Sequence, residues 1–168
     1  ASLVNECYKI SKNFKKPTKI IADGGFKNFS DINKALALGA DYVMIGGILS
    51  KAMESCSDFY YLESENTYSK ISKSEAIERY NAGDDVYKYY RGMSTKEVQK
   101  TWNRTVLKTS EGITKYNKVE YTLTGWCENF EDYLKSTMSY CGKTSLKKFI
   151  GKANFVHITQ NAFDRYNK

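Results

Sequence analysis

Two short apolar runs, each closed by a pair of glycines, constrain this chain more than any other feature. Lys19-Ile20-Ile21-Ala22 runs into Asp23-Gly24-Gly25, and Tyr42-Val43-Met44-Ile45 runs into Gly46-Gly47. Leu3, Val4, Cys7, Ile10 and Phe14 have helical spacing, and Pro17 separates that helix from the first run. Short apolar runs bounded by breakers read as strands buried on both faces, the pattern of a parallel sheet. Between the runs, Ile32, Ala35, Leu36 and Gly39 share one helical face. Ser30 or Asp31 is placed to cap that helix and Gly39 to end it. Strand, helix and strand within about thirty residues make a βαβ unit with a right-handed crossover, so the fold class expected is α/β.

The remainder is less regular. Residues 48–53 can start a further helix. Residues 57–90 are polar and rich in Tyr and Ser, and read as a surface excursion ending in a strand at Val86-Tyr87-Lys88-Tyr89-Tyr90 after the turn Ala82-Gly83-Asp84-Asp85. Residues 95–104 look helical and 105–125 form an exposed loop or flap. Phe130, Tyr133, Leu134, Thr137, Met138 and Cys141 mark a helix, Ser145–Ile150 a short one, and Asn154–Thr159 an alternating strand holding His157. No repeat or low-complexity segment interrupts the chain, and a single domain over 1–168 is expected.

Composition narrows the chemistry. With 41% hydrophobic and 14% aromatic residues, the chain has the material for a core. No stretch reaches the roughly 18 apolar residues of a membrane span, and residues at the start form no secretory signal. The expectation is a cytoplasmic protein with no membrane partner and with its four cysteines reduced. Cys7, Cys56, Cys127 and Cys141 make no Cys-x-x-Cys pair and read as small buried hydrophobes. One histidine removes His-rich metal sites and leaves little room for a Ser-His or Cys-His pair, so no metal site is expected. The net charge of +7 favours anionic partners. Lys143, Lys147, Lys148 and Lys152 read as a solvated helix face rather than a nucleic-acid patch.

Ligands of open α/β sheets and barrels sit beyond the carboxyl ends of the strands. Glycine there lets backbone N–H groups approach a phosphate, a helix starting after Gly47 would add its positive end, and Asp23 could accept from a ribose diol. One Gly-Gly pair is simply a turn. Two on consecutive strands, the first with a carboxylate, leave the turn and the phosphate site equally open.

The wording of residues 21–50, I-A-D-G-G-F-K-N-F-S-D-I-N-K-A-L-A-L-G-A-D-Y-V-M-I-G-G-I-L-S, closely resembles the seventh and eighth strand region of the IMP dehydrogenase and GMP reductase family. The likeness continues at Glu54-Ser55, Tyr90-Arg91-Gly92-Met93-Ser94, Ser110-Glu111-Gly112, Ser136-Thr137-Met138-Ser139-Tyr140 and Phe155-Val156-His157-Ile158-Thr159-Gln160, in the family's order. The resemblance implies the C-terminal portion of a (β/α)8 TIM barrel with a flap and C-terminal helices. A complete barrel takes about 250 residues. It implies that Asp23 and Gly25 hold the ribose of a purine monophosphate. Gly46, Gly47, Gly92, Met93 and Ser94 bind its phosphate and base, and Lys108, Ser110 and Gly112 complete the substrate site. By the same resemblance Met93, Leu107 and Lys108 would meet the cofactor, and Glu111 would be the catalytic acid/base. Lys108 stands where the reductases usually carry Arg, which keeps the charge and loses the bidentate fork.

Within the family the reductase branch fits better. Only fifteen residues separate Ser94 from Ser110, and they hold Arg104 but no Arg-Tyr pair of the kind the dehydrogenases use to activate water. The expected activity is NADPH-dependent reductive deamination of GMP to IMP and ammonia through a cysteinyl intermediate. The cysteine would lie in a Cys-Thr-Thr-type loop before residue 1. The resemblance further implies the N-terminal part of the same enzyme as partner, a homotetramer in which the Tyr-rich residues pack on a neighbouring subunit, and a monovalent cation such as K+. Nucleic acid is not an expected partner. IMP dehydrogenase, or a non-catalytic nucleotide-binding barrel fragment, remain the alternatives.

Overall fold

The computed structural model describes residues 2–102 and 112–166. In chain order its elements begin α1 (Ser2–Ser11), β1 (Ile21–Asp23), α2 (Phe29–Leu38), β2 (Tyr42–Met44), β3 (Phe59–Ser64), β4 (Thr67–Ile71) and α3 (Lys73–Ala82). Then follow β5 (Tyr87–Arg91), α4 (Lys96–Thr101), β6 (Thr114–Lys118), α5 (Leu123–Tyr140), α6 (Leu146–Phe149) and α7 (Gln160–Tyr166). They fall into two compact units: Ala1–Gly24, Asn28–Met44 and Asp132–Lys168 in the first, Gly25–Lys27 and Ile45–Glu131 in the second.

In the first unit, β1 and β2 pair in parallel, with Ile21 opposite Tyr42, Ala22 opposite Val43 and Asp23 opposite Met44. The two glycine-tipped runs therefore lie side by side, as the βαβ pattern requires. Asp41 staples their entrance: its carboxylate accepts from Lys19 Nζ at 2.7 Å and from the Ile20 amide at 3.0 Å. Helix α2 starts two residues earlier than a cap at Ser30 would place it, and three earlier than one at Asp31. Asn28 is the cap, its side chain accepting from the Asp31 amide at 3.0 Å, because Asn28 has the extended backbone a cap needs. Gly39 ends the helix in the left-handed region, φ 117°. A Cβ on Gly39 or on Gly151 would run into the ring of Tyr8, so both glycines are also required by packing.

The strands are not buried on both faces here. Ala22 is buried, but Ile21, Tyr42 and Met44 are 57%, 59% and 53% exposed. Among the described residues this sheet has two strands, and nothing covers those side chains. The alternation of Asn154–Thr159 does not become a strand either. His157 lies in an exposed irregular stretch, since no described strand offers its backbone a partner. Phe149, on the short α6, is fully buried.

The second unit is a four-stranded antiparallel sheet in the order β4-β3-β5-β6, with α3 against one face. The excursion expected over 57–90 is an ordered hairpin, helix and strand. Asn66 in the left-handed region, φ 64°, makes the β3–β4 turn. Ser72 caps α3 by accepting from the Glu75 amide at 3.1 Å, and Gly83 closes it, φ 90°. One sheet face packs Met53, Phe59, Ile71, Ala76, Val86 and Val119 into a core. Tyr60, Tyr68, Tyr87, Tyr89 and Tyr116 form a second layer of touching rings, Tyr68 and Tyr116 stacked at 3.8 Å. That cluster uses the tyrosines that made the segment look like surface material. Within the loop expected over 105–125, residues 114–118 form β6 because Tyr116 pairs with Tyr89 and supplies a ladder for β5. No described helix is long and apolar enough to cross a membrane.

Candidate functional site

The turn after β2 is built by contacts from β6 and from the link between β6 and α5. Residues 48–53 hold a single 3-10 turn, Leu49–Lys51, instead of the helix expected, so no helix dipole is aimed at Gly47. The turn is braced by side chains. Tyr121 Oη donates to the Ile48 carbonyl at 2.5 Å, Ser50 Oγ donates to the Gly47 carbonyl at 2.7 Å, and Asn117 Nδ2 donates to Ser50 Oγ at 2.7 Å. Burial, with Glu120 adding to it, pushes the Tyr121 phenol up to about 12.

Gly46 and Gly47 are exposed. A Cβ on Gly47 would meet nothing within 4 Å, and one on Gly46 would meet only Tyr90 Oη, at 3.6 Å. Neither has the positive φ found at Gly24 (85°) and Gly25 (81°). Crowding within the protein does not demand glycine at Gly46 or Gly47, and neither does backbone strain. An uncovered backbone beside a phenol hydroxyl is what a close-approaching anion uses.

Gly92 and Gly112 are different. The Gly92 amide donates to the Ile113 carbonyl at 3.0 Å, and a Cβ on Gly92 would lie 3.2 Å from the Gly112 Cα. A Cβ on Gly112 would lie 2.7 Å from Thr95 Cγ2 and 2.9 Å from Ser94 Oγ. The two backbones touch, and only glycine permits it. Ser94 is held from behind by Gln99 Nε2, which donates to its carbonyl at 3.1 Å, and Thr95 caps α4. The Gly92-Met93-Ser94 turn and Gly112 are thereby brought together from twenty residues apart.

A cavity of about 520 Å³ in this unit is lined by Gly46, Ser50, Glu54, Tyr90, Met93 and Leu123, among others. Its volume suits a small organic ligand. Met93 is 67% exposed and offers it an apolar wall. Glu54 is committed elsewhere, one carboxylate oxygen accepting from the Leu123 amide at 2.8 Å at the start of α5. Glu97 accepts from Tyr89 Oη at 2.9 Å and from Arg91 at 3.1 Å, tying the end of β5 to α4. The hydrogen bond to Glu97 holds the Tyr89 phenol above its usual range.

Of the residues singled out from sequence, Gly46 and Met93 line this cavity, and Gly47 adjoins Gly46. Gly92, Ser94 and Gly112 form the touching turn. Asp23 lies exposed at the end of β1 in the first unit, and Gly25 follows it with positive φ. Leu107, Lys108, Ser110 and Glu111 lie outside the described residues. Tyr90 and Ser50 were missed. Tyr90 stood inside the Tyr90–Ser94 block, but a tyrosine in an alternating strand looks like packing until its hydroxyl is seen over a glycine. The cysteines correct another expectation: Cys56, Cys127 and Cys141 are exposed and Cys7 is half-buried. The three exposed cysteines sit at helix or loop surfaces instead of in the core, and Cys56 lines the cavity. Among the described residues no group of three or more His, Cys, Asp or Glu side chains is placed to hold a metal ion.

Residues 1–166 match the family described as the IMP dehydrogenase / GMP reductase domain. Inosine-5'-monophosphate dehydrogenase of Cryptosporidium parvum is 34% identical, over 93% of this chain and 36% of that protein. GMP reductase of Ascaris suum is 30% identical, over 88% of this chain and 36% of that protein. The crystal structure of GMP reductase C318A from Trypanosoma brucei, in complex with guanosine 5'-monophosphate, superposes with a TM-score of 0.74 at 24% identity. That superposition covers 98% of this chain and 30% of the other. The chain thus spans about a third of the length of these relatives.

Proposed function

The chain belongs to the IMP dehydrogenase / GMP reductase family, oxidoreductases acting on purine nucleotides, and we propose that it supplies the mononucleotide-binding part of a GMP reductase. The observation that carries this reading is the cavity at Gly46 and Tyr90, where an uncrowded glycine backbone faces a phenol hydroxyl and an apolar methionine. The phosphate is assigned to the Gly46-Gly47 amides and Tyr90 Oη, and the purine to Met93. The ribose role of Asp23 and Gly25 rests on the sequence motif alone.

The residues described here orient the nucleotide; the chemistry is assigned elsewhere. A thiol outside these 168 residues adds to C2 of the purine, and ammonia leaves once a proton reaches it. Glu111, which follows Ser110 and precedes the tightly packed Gly112, is the group proposed to deliver that proton. NADPH, when bound, supplies the hydride that replaces sulfur at C2 and releases IMP. Of the cofactor residues only Met93 is described. Its exposed thioether side chain in the cavity wall fits contact with a flat ring. The short segment between Ser94 and Ser110, without an Arg-Tyr pair to activate water, favours reduction over oxidation.

The 34% identity to a dehydrogenase is the observation on the other side, and it keeps NAD-dependent oxidation of IMP as the second reading. Assay of the full-length protein that carries this chain decides between them. GMP-dependent oxidation of NADPH with release of ammonia supports the reductase. IMP-dependent reduction of NAD with no GMP turnover replaces it with the dehydrogenase, and turnover of neither leaves a binding module.

A further inference from the structure

Lys88 is the most deeply buried ionisable side chain described, at 2% exposure, and nothing in the reading above uses it. It sits in β5 on the same sheet face as Val86, where an apolar residue would be the ordinary choice. Among the described residues no carboxylate pairs with its ammonium. Nζ donates to the Ser55 carbonyl at 2.5 Å and to the Ser57 carbonyl at 3.1 Å, and lies 3.8 Å above the centre of the Phe59 ring. Two backbone carbonyls and a π face are the acceptors a cation takes when it is used as a fixed peg. Burial pushes its pKa down, with Cys56 and Glu54 nearby opposing that.

The two carbonyls belong to one loop, and residues 54–57 of that loop line the cavity that holds Gly46, Tyr90 and Met93. The loop is also tied at its start, where Glu54 accepts from the Leu123 amide at 2.8 Å and Ser55 Oγ donates to the Ser50 carbonyl at 3.3 Å, but Lys88 is the group that holds the Ser55 and Ser57 carbonyls together. The loop's own backbone bonds are Ser55 N to Ala52 O and Ser57 N to Ser55 O, and Ser57 Oγ reaches only its neighbour's carbonyl. Lys88 is also two residues from Tyr90 on one strand, so the same strand carries both the peg and the hydroxyl over Gly46.

We propose that Lys88 is a positioning residue: its buried ammonium clamps the Ser55 and Ser57 carbonyls, and so holds the 54–57 wall at the distance from Tyr90 and Gly46 that a purine mononucleotide needs. The statement about nucleotide rests on the functional reading above, whereas the clamp itself does not. A purely structural lysine would alter stability and leave affinity for substrate alone.

The test is made in the full-length protein with Lys88→Met, which keeps the length and removes the donors, and Lys88→Arg, which keeps a cation. The probes are GMP with NADPH, and IMP with NAD. Lys88→Met is expected to raise KM for the nucleotide about tenfold while kcat falls less than about threefold, and Lys88→Arg to recover most of the loss. Hydrogen exchange of a peptide covering 54–58, measured without nucleotide, is expected to speed up in Lys88→Met about tenfold. A folded Lys88→Met protein with unchanged KM, or with unchanged exchange at 54–58, overturns the proposal. So does an arginine variant no better than methionine. If Lys88→Met does not fold, Phe59→Leu removes the ring under the ammonium. A KM raised about threefold then supports the clamp and an unchanged KM overturns it. Should the wild-type protein turn over neither nucleotide, the functional reading has failed, and the exchange measurement alone still decides whether Lys88 clamps the loop.

Discussion

Gly112 and Gly47 show how one residue type answers two physical demands. At Gly112 a methyl would lie under 3 Å from both Thr95 and Ser94, one contact being with the Thr95 backbone nitrogen, which cannot swing away. Gly112→Ala is expected to cost about 1–3 kcal/mol, read as a lowered denaturation midpoint. At Gly47 nothing lies within 4 Å, so Gly47→Ala is expected to leave the midpoint within about 0.5 kcal/mol of wild type. If the backbone there receives phosphate, the same substitution weakens mononucleotide binding in titration calorimetry of the full-length protein. Tyr90→Phe removes the hydroxyl 3.6 Å from the Gly46 Cβ position. It is expected to weaken binding about tenfold, the worth of one hydrogen bond to a charged group. Unaltered binding would remove Tyr90 from the site.

Tyr121 belongs to the same scale. Its folded-state pKa of about 12 lies above the usual value of 10.0, so the folded form keeps its proton where the unfolded chain has lost it. The stability it supplies is therefore complete below pH 10 and falls as pH rises from there towards 12. Thermal melts across that range should show the loss in wild type and a shallower one in Tyr121→Phe, which has no proton to lose.

At the scale of elements, helix ends were only half legible. Gly39 and Gly83 both end helices in the left-handed region, as glycine's freedom suggests, but the start of α2 shifted to Asn28 because the extended backbone falls there and not at Ser30. Asn28→Ala is expected to lower the stability of the chain by about 1 kcal/mol in denaturant unfolding, whereas Ser30→Ala should change it little. Strands were harder to read. Residues 114–118 carry no apolar alternation, and they form β6 because Tyr116 closes the aromatic layer over Tyr89 and Tyr68. Asn154–Thr159 has the alternation and forms no strand, since alternation supplies side chains and not a partner. The 3-10 turn after Gly47 is a third case: it takes its shape from Tyr121 and Asn117, both about seventy residues downstream.

At the scale of the whole molecule, the open face of the β1–β2 pair is the feature with consequences. Ile21, Tyr42 and Met44 each expose more than half of their surface. Clustered exposed apolar side chains on a short open sheet favour association. Residues 1–168 expressed alone are expected to self-associate in a concentration-dependent way in analytical ultracentrifugation, to bind a hydrophobic dye, and to show no GMP-dependent oxidation of NADPH. Replacing Ile21 with Lys should reduce both the association and the dye signal. Dispersed chains that bind no dye would show that the face is covered some other way.

The local grammar of this protein was readable from residues alone: two glycine-tipped parallel strands, the helix between them and the family blocks that follow. Each is set within a window of a few residues, by breakers, by helical spacing and by glycine's freedom at φ 117° or 85°. The tertiary structure decided what long-range contact decides. It brought Gly112 against Ser94, put Tyr90 over Gly46, moved three cysteines to the surface, and buried Lys88 beneath a loop over thirty residues earlier in the chain. No periodicity encodes such meetings, because they are fixed by which backbones can touch and which buried charge finds carbonyls to hold.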